Sequence, residues 1–480
     1  MDETSRAPGT GTRPGYTLGS PPGILWRMKR IFRLGLPLLF GQLTFYMHQI
    51  ADSAMLGHYG QGSLELGAVG IAGLFTWILN TFLWPLSSGV QAITARRFGR
   101  QDLQNPGSQH HTGEALDNGI ITALYSAALA LVVSFSARPI LTPLIRDPRI
   151  LELTLQYIAI MRLSLLPSGL FFVLQGFFSA INRTRYVMYS GILSNTLNIL
   201  LNWIFIFGNL GLPAMGIRGA ALGTVLANLV SMVFLGVILM RRGYNRSYRL
   251  FTFRHLTPKL QRDIIAVALP PGIQNIIALG IFMVYQTIIE DYSTVYLAAT
   301  HSLFSFMRLN KTVIGGFARS ASILVGNALG RNDKAEAAHL GRQAGLLGTL
   351  IALGVAGLAL LCRGFIAKFF TNDPATQAAI TQAVLFFSGF YFAESIGYTF
   401  EMIFTANGYG RWVLFSEATT NLVFILGATL LARHFFPGQI HLAWLSFGLY
   451  QLSHALLMVA GYLRRRWLHV EVDSAAAEIP

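Results

Sequence analysis

The second half of this chain repeats the first, and both halves are written largely in long apolar runs. Gly35-Leu-Pro37 returns as Ala268-Leu-Pro270, and Ala95-Arg-Arg-Phe-Gly-Arg-Gln-Asp102 returns as Gly326-Asn-Ala-Leu-Gly-Arg-Asn-Asp333. Ala180-Ile-Asn-Arg-Thr-Arg185 is answered by Ala406-Asn-Gly-Tyr-Gly-Arg411, and Ser190 and Asn195 are answered by Ser416 and Asn421. The offset holds at about 226 to 233 residues, which marks an internal structural repeat.

The apolar runs fix the class. Just over half the residues are hydrophobic (53%) and 12% are charged, against about 25% charged in soluble domains. Mean hydropathy is +0.51. Runs of about 20 apolar residues match a hydrocarbon core of about 30 Å. We read an all-α integral membrane protein with spans near 31–56, 66–94, 118–137, 153–181, 186–209, 216–240, 263–289, 295–325, 343–361, 380–406, 412–434 and 441–463. Six spans in each half put the two repeats in the same orientation, as two lobes related by a pseudo-two-fold along the membrane normal. The expected division is a disordered tail (1–23), a first lobe (24–240), a basic linker (241–262), a second lobe (263–466) and a C-terminal tail (467–480).

A net charge of +15 follows this topology. With the N-terminus cytoplasmic, most Lys and Arg fall on the cytoplasmic side. The largest cluster is Arg241, Arg242, Arg246, Arg249, Arg254, Lys259 and Arg262 in the linker. The opposite loops carry Arg138, Arg146, Arg149, Arg218, Arg363, Lys368 and Arg433. This positive-inside asymmetry puts both termini in the cytoplasm. Basicity therefore calls for no nucleic-acid partner, although the linker can touch anionic lipid headgroups. Residues 1–23 contain no apolar core of a cleavable signal, so the first span is expected to act as the targeting signal. Cys362 is alone and excludes an intrachain disulfide or a cysteine metal cluster. Residues 102–117 read as an exposed loop, and its His110-His111 pair, lacking a third ligand, reads as plain loop. No metal is expected.

Four stretches carry a family resemblance. They are Gly35-Leu-Pro37 with Asp52 and Gly57; Ala95 to Asp102; Gly208-Asn-Leu-Gly-Leu-Pro-Ala-Met-Gly-Ile-Arg-Gly-Ala-Ala-Leu-Gly-Thr224; and Leu324-Val-Gly-Asn-Ala-Leu-Gly330. In order and spacing, over about residues 30–463, the chain resembles the multidrug and toxic compound extrusion (MATE) transporters, within a larger group that includes oligosaccharide flippases. The resemblance implies two six-helix bundles around a central cleft. It also implies export of amphipathic, often cationic, compounds in exchange for H⁺ or Na⁺, with no cofactor beyond the coupling ion.

Asp52 is the first candidate for that coupling. A carboxylate at mid-membrane costs roughly 2.5–3.5 kcal/mol on insertion scales, so it faces protein or water, where it can exchange a proton. Phe45, His48, Gln49 and Asp52 share one helical face, a polar and aromatic strip suited to a cleft. Asn195, Asn198 and Asn202 share a face of span 5, and such amides need partners in hydrocarbon. They are read either as interhelical ties or as a cation site shared with Asp52 and Thr224. By the resemblance, Asp52 matches a coupling acid of the first span. Asn198 matches an Asn that is paired with an acid one turn later, and here that position is Asn202. Asp52 is then the one obvious titrating acid of the first lobe, with His48 a possible companion. The sodium-coupled branch carries a Glu in span 7 at the position of Ala278, while Glu290 and Asp291 lie at the far end of that span. Proton coupling is therefore the expectation, with Na⁺ the alternative.

The second lobe holds Arg308, Lys311 and Arg319 on one face of span 8, Glu394 and Glu401 on one face of span 10, and Glu417 at the start of span 11. Three bases and three acids suggest a mutually neutralising network. Buried ion pairs are seldom net stabilising, so the set is read either as structural or as lining the substrate cleft. In the second case Arg308 and Lys311 would suit an anionic substrate, because guanidinium offers bidentate donors.

Enzyme classes fare poorly. The chain has no His-Glu-x-x-His, Gly-x-Ser-x-Gly or Walker A motif. A channel fits less well than a two-lobe carrier. The leading expectation is a monomeric, cation-coupled antiporter of the bacterial cytoplasmic membrane. The alternative is a flippase or exporter of an anionic lipid-linked or amphiphilic substrate. The informative positions are those where the copies differ: Asp52 is answered by Tyr285, and Asn198 and Asn202 by Phe424 and Ala428. Glu394, Glu401 and Glu417 answer Ser168, Gln175 and Gly191.

Overall fold

The computed structural model describes residues 23–57, 59, 63–101, 108–252, 255–371 and 373–474, and every regular element among them is helical. Twelve spans follow in order. The first lobe has span 1 (Ile24–Gly57), span 2 (Ser63–Asn80 and Leu86–Arg100), span 3 (Ser108–Ser134), span 4 (Pro148–Met161 and Leu165–Ala180), span 5 (Thr184–Phe207) and span 6 (Ile217–Arg241). The second has span 7 (Pro258–Glu290), span 8 (Thr294–Gly330), span 9 (Lys334–Leu361), span 10 (Pro374–Ser388 and Tyr391–Thr405), span 11 (Gly410–Phe435) and span 12 (Ile440–Leu463).

Several spans begin earlier than hydropathy alone predicts. Span 3 starts at residue 108 rather than 118, span 9 at 334 rather than 343, and span 10 at 374 rather than 380. Hydropathy reads only the part inside hydrocarbon, whereas the helix start is set by its cap. Asp147 and Asp373 each precede a proline and accept a backbone N–H, from Arg149 and Thr376 respectively. Such a residue satisfies donors that the first turn leaves open, and proline at the next position loses no bond. The two caps stand at corresponding places in the two halves. Side-chain hydrogen bonds, from Arg149 and Thr376, with backbone bonds behind them, hold both carboxyls below the usual carboxylate range.

The helical start of span 3 corrects the reading of 102–117 as an exposed loop. Residues 102–107 lie outside the described residues, but Thr112, Leu116 and Asp117 are buried. His110 and His111 sit in the first turns of that helix, with His111 Nδ1 3.2 Å from Glu114 Oε1. The linker is not a free tether either. Tyr244, Tyr248 and Leu250 are buried against Phe177 and Phe178 in the core of the first lobe. At the C-terminus, residues 467–474 are packed rather than hanging as a tail: Trp467 and Asp473 are buried. The expected N-terminal tail lies outside the described residues except for Gly23.

The lobes meet at the end of the molecule that carries both described termini, and there the repeat becomes a contact. Gly99 and Gly330, which correspond in the two halves, press on each other: a β-carbon on Gly99 would strike the carbonyl of Asn327, and one on Gly330 the carbonyl of Arg96. Ser320 Oγ donates to the carbonyl of Ile31 at 2.6 Å. In the corresponding place Gly89 lies so close to the carbonyl of Ile264 that no side chain fits. Gln91 Nε2 donates to Ser322 Oγ at 3.1 Å across the same seam. These are pseudo-two-fold contacts made mostly by backbone, which only small residues permit.

Gly99→Ala is therefore expected to cost about 1–3 kcal/mol through overpacking. Gly73→Ala in the same span, where nothing lies within 4 Å, should be neutral or slightly stabilising. Thermal unfolding of the two purified variants checks the contrast.

Candidate functional site

Each lobe holds a buried polar cluster, and the two are built differently. In the first, spans 1 and 5 meet through an acid and two amides. Asn202 Nδ2 donates to Asp52 Oδ1 at 2.7 Å. Asn198, one turn earlier, presents its amide to the same oxygen at 2.9 Å when Nδ2 faces it, and its Oδ1 then lies 3.2 Å from Thr224 Oγ1 on span 6. Asn195 Nδ2 donates to Thr44 Oγ1 at 2.8 Å, a second tie between spans 1 and 5. Asn198 and Asn202 are both buried. Their spacing of four residues stacks them on one helix face. Gly223 makes room for them, since a β-carbon there would collide with Asn202 Oδ1.

Spacing on single helices brings Asp52, Asn198, Asn202 and Thr224 together as expected from the sequence. It did not find Tyr157 of span 4, whose phenol stands beside Thr224 and Asp52 in the same cluster. No helix-face argument links residues on spans 4 and 6. The side chains of Phe45, His48 and Gln49 lie outside the described residues, so only the helical backbone that carries them is seen.

In the second lobe Lys311 and the three acids stand close enough to act on one another, while Arg308 and Arg319, two of the six charges expected to neutralise one another, fall outside that set. A single ion pair forms within the six, Lys311 Nζ to Glu394 Oε1 at 3.9 Å. Asn310 Nδ2 donates to Glu394 Oε2 at 2.8 Å, and the Lys311 ammonium also stands 5.6 Å from the centre of the Tyr398 ring. Glu401 accepts instead from Gln274 Nε2 of span 7 at 2.7 Å. Glu417 accepts from Tyr450 at 2.8 Å and lies 3.2 Å from His454, both on span 12. Arg319 points across the seam, donating to Ser87 Oγ at 2.6 Å and to Gln175 Oε1 at 3.3 Å in the first lobe. Arg308 is exposed and makes no ion pair among the described residues.

The correction has a plain cause. A shared helix face says which residues point the same way, not which neighbour they meet. Neutral donors on spans 7, 8 and 12, namely Gln274, Asn310 and Tyr450, supply hydrogen bonds to the three acids, as buried carboxylates require. The Lys311 side chain is 44% exposed although Glu394 is almost fully buried, so the ammonium borders open space beside the seam. Gly315, one turn on, faces both Gln42 of the first lobe and Tyr398. Among the described residues no group of three or more His, Cys, Asp or Glu is placed to hold a metal ion.

Comparison with known proteins gives these clusters a context. The MatE family profile matches residues 37–204 and 270–430, one stretch in each lobe. A probable multidrug resistance protein NorM of Agrobacterium fabrum is 29% identical over 356 residues, covering 72% of this chain and 73% of its own. Its counterpart in Geobacillus kaustophilus is 25% identical over 386 residues, covering 78% and 80%. Among solved structures, a Vibrio cholerae MATE transporter superposes with a TM-score of 0.84 at 18% identity, over 93% of this chain and 99% of its own. A MOP superfamily transporter from Pyrococcus furiosus, described by a reversed polarity of its binding pocket, gives 0.80 at 20% identity, over 94% and 100%.

Lys311 and Glu394 are expected to be energetically coupled. Glu394→Gln should destabilise the wild type more than it destabilises the Lys311→Met variant, by about 0.5–3 kcal/mol. A double-mutant cycle read by thermal unfolding checks this.

Proposed function

Because the chain belongs to the MatE family of membrane transporters and is a multidrug efflux transporter rather than an enzyme, we propose that it is a proton-coupled antiporter. It exports amphipathic organic compounds by alternating access, with the coupling proton on Asp52. The observation that carries this reading is the pair of amides, Asn202 and Asn198, that meet Asp52 Oδ1, with Thr224 behind Asn198.

An amide beside a carboxyl serves both of its states. With Asp52 ionised, the Asn198 and Asn202 Nδ2 groups donate to it, and charge-assisted bonds of this kind are about twice as strong as neutral ones. With Asp52 protonated, the Asn198 amide can present Oδ1 and accept the carboxyl hydrogen. Protonation then weakens the tie between spans 1 and 5. Span 1 also forms the seam with span 8 through Ile31 and Ser320, so a change in how span 1 sits on span 5 reaches the contact between lobes. Proton entry from outside loosens the first lobe and favours substrate release; proton loss to the inside resets it. In this reading Na⁺ is not required.

The protein sits in the bacterial cytoplasmic membrane with both termini inside, as the excess of Lys and Arg on that side supports. Residues 24–240 and 263–466 are the two moving lobes, joined by 241–262. One chain supplies both lobes, so a monomer is the working unit. Nucleic acid has no part in it.

A second reading, an anionic or lipid-linked amphiphile as substrate, is favoured by one observation. Arg308 is exposed one turn before Lys311, whose half-exposed ammonium is only partly balanced by Glu394. A transporter of the same fold from Pyrococcus furiosus is likewise described by a reversed polarity of its binding pocket.

Two outcomes are expected. In proteoliposomes with an imposed pH gradient, Asp52→Asn should abolish gradient-driven efflux of a cationic dye while Asp52→Glu keeps part of it; intact efflux by Asp52→Asn would sink the coupling role. In the same assay Arg308→Gln/Lys311→Gln should leave cation efflux equal or faster. Loss of transport of an anionic amphiphile alone would favour the second reading.

A further inference from the structure

The repeated segment Ala95–Asp102 does more than form the seam. Two arginines set it apart from the second copy: Arg96 answers Asn327, and Arg97 answers Ala328. Arg97 is buried, and its Nε and Nη2 donate to Asp473 Oδ2 and Oδ1 at 2.8 and 2.9 Å, a bidentate pair. Its Nη1 donates to Glu114 Oε2 at 2.8 Å and to the carbonyl of His111 at 2.7 Å.

Asp473 arrives from the other lobe. After span 12 the chain turns at Arg465 in a left-handed conformation (φ 54°) and buries Trp467 against Phe404 and Tyr462 of the second lobe. It then crosses the seam. The carbonyl of Val470 accepts from Arg96 Nη2 at 3.3 Å. Val472 packs on Ala92 of span 2 and Val267 of span 7, and on Gly408, where a side chain would collide with it. Beyond Asp473, the backbone N–H and the hydroxyl of Ser474 donate to Asp263 Oδ2 at 2.8 and 2.7 Å. The segment thus leaves the second lobe, grips the first, and returns to the second.

We infer that residues 470–474 form a latch that holds the lobes together on the side of the termini, with Arg97 and Asp473 as its gating residues. The inference rests on the alternating-access reading above. The Gly99–Gly330 seam lies beside the latch and must part if substrate is to enter from that side. A second buried pair, Arg27 to Glu336 at 2.7 Å, closes the corner where spans 1 and 9 meet. The latch supplies the corner formed by spans 2, 3 and 7. A buried ion pair is a poor source of net stability, because desolvation offsets attraction, yet breaking one side of it is costly. It suits a contact that must be either fully made or fully released.

The test uses the full chain with Cys362→Ser and one reporter, Ser322→Cys, in the seam, labelled by a hydrophilic maleimide without substrate or gradient. Asp473→Asn, and separately truncation after His469, should raise the labelling rate about tenfold, the effect of about 1.4 kcal/mol on the closed–open balance. Asp473→Glu should return it close to the parent rate. Ser474→Ala, which removes one hydroxyl bond, should give a smaller rise if truncation impairs folding. An unchanged rate in Asp473→Asn overturns the latch. So does a rise that Asp473→Glu fails to reverse, since that marks lost packing. Because the readout needs no transport, failure of proton-driven efflux would count against the proposed function and leave this result standing.

Discussion

The contact between Gly99 and Gly330 is the constraint on which the rest of the structure depends. Two lobes of six helices can share a face only if their backbones approach closely, and in a bilayer no hydrophobic effect drives helices together. Close packing must supply the attraction. Glycines 89, 99 and 330 and Ser320 therefore meet main-chain carbonyls of the opposite lobe rather than side chains. The same economy explains why these segments are the ones where the two halves read alike. A seam made of backbone tolerates few residue types, and it is built twice.

Around this symmetric seam the polar chemistry is unequal. The first lobe surrounds one acid with amides and a hydroxyl; the second spreads three acids over separate donors, with one ammonium. The difference bears on what each can do. Amides and hydroxyls can donate or accept, so a carboxyl among them can change protonation and keep its bonds. Glu394 beside Lys311 has a partner of fixed sign, and changing its charge unbalances the pair. That contrast is why we propose Asp52, rather than Glu394, as the proton carrier, and the second lobe as the place where the charge of a substrate is read.

Much of this was legible in the sequence, and what was not shares one cause. Among the described residues ten of the twelve spans follow from apolar length, counting bent span 10 as one, and the pairing of Asp52 with Asn198 and Asn202 follows from spacing on spans 1 and 5. Helix periodicity fixes direction along one helix and says nothing of which helix lies opposite. Arg319 was accordingly grouped with Lys311, yet it reaches Ser87 and Gln175 across the seam. Tyr157, Gln274, Tyr450 and His454 were missed because each contributes one polar group to a cluster centred on another span. The tyrosine and histidine of span 12, four residues apart, were the one visible sign. Hydropathy also hid the buried start of span 3 and the packed segment 470–474, since both are too polar to read as membrane.

The irregular turns of the helices fall near the groups that carry charge, and this follows from backbone hydrogen bonding. Span 10 bends by 58° between Ser388 and Tyr391, one turn before Glu394. Span 11 widens into a π-helical stretch, Asn421–Ala428, directly after Glu417, and Asn421 Nδ2 donates back to the carbonyl of Glu417 at 2.7 Å. Span 2 breaks before Pro85, which has no N–H to give, two residues short of the Ser87 that Arg319 holds. A regular helix in hydrocarbon keeps its peptide groups paired within itself and offers none to a neighbour. Where the ladder is broken, side chains re-satisfy the freed groups, and the backbone there can bend at lower cost. In the second lobe Glu394 and Glu417 therefore sit near the points where their helices can flex, whereas Asp52 lies on one continuous helix from Ile24 to Gly57, with Pro37 inside it. In the proposed coupling, a change at Asp52 would pass along this helix and through Pro37, where proline leaves one ladder bond unmade, to the seam at Ile31.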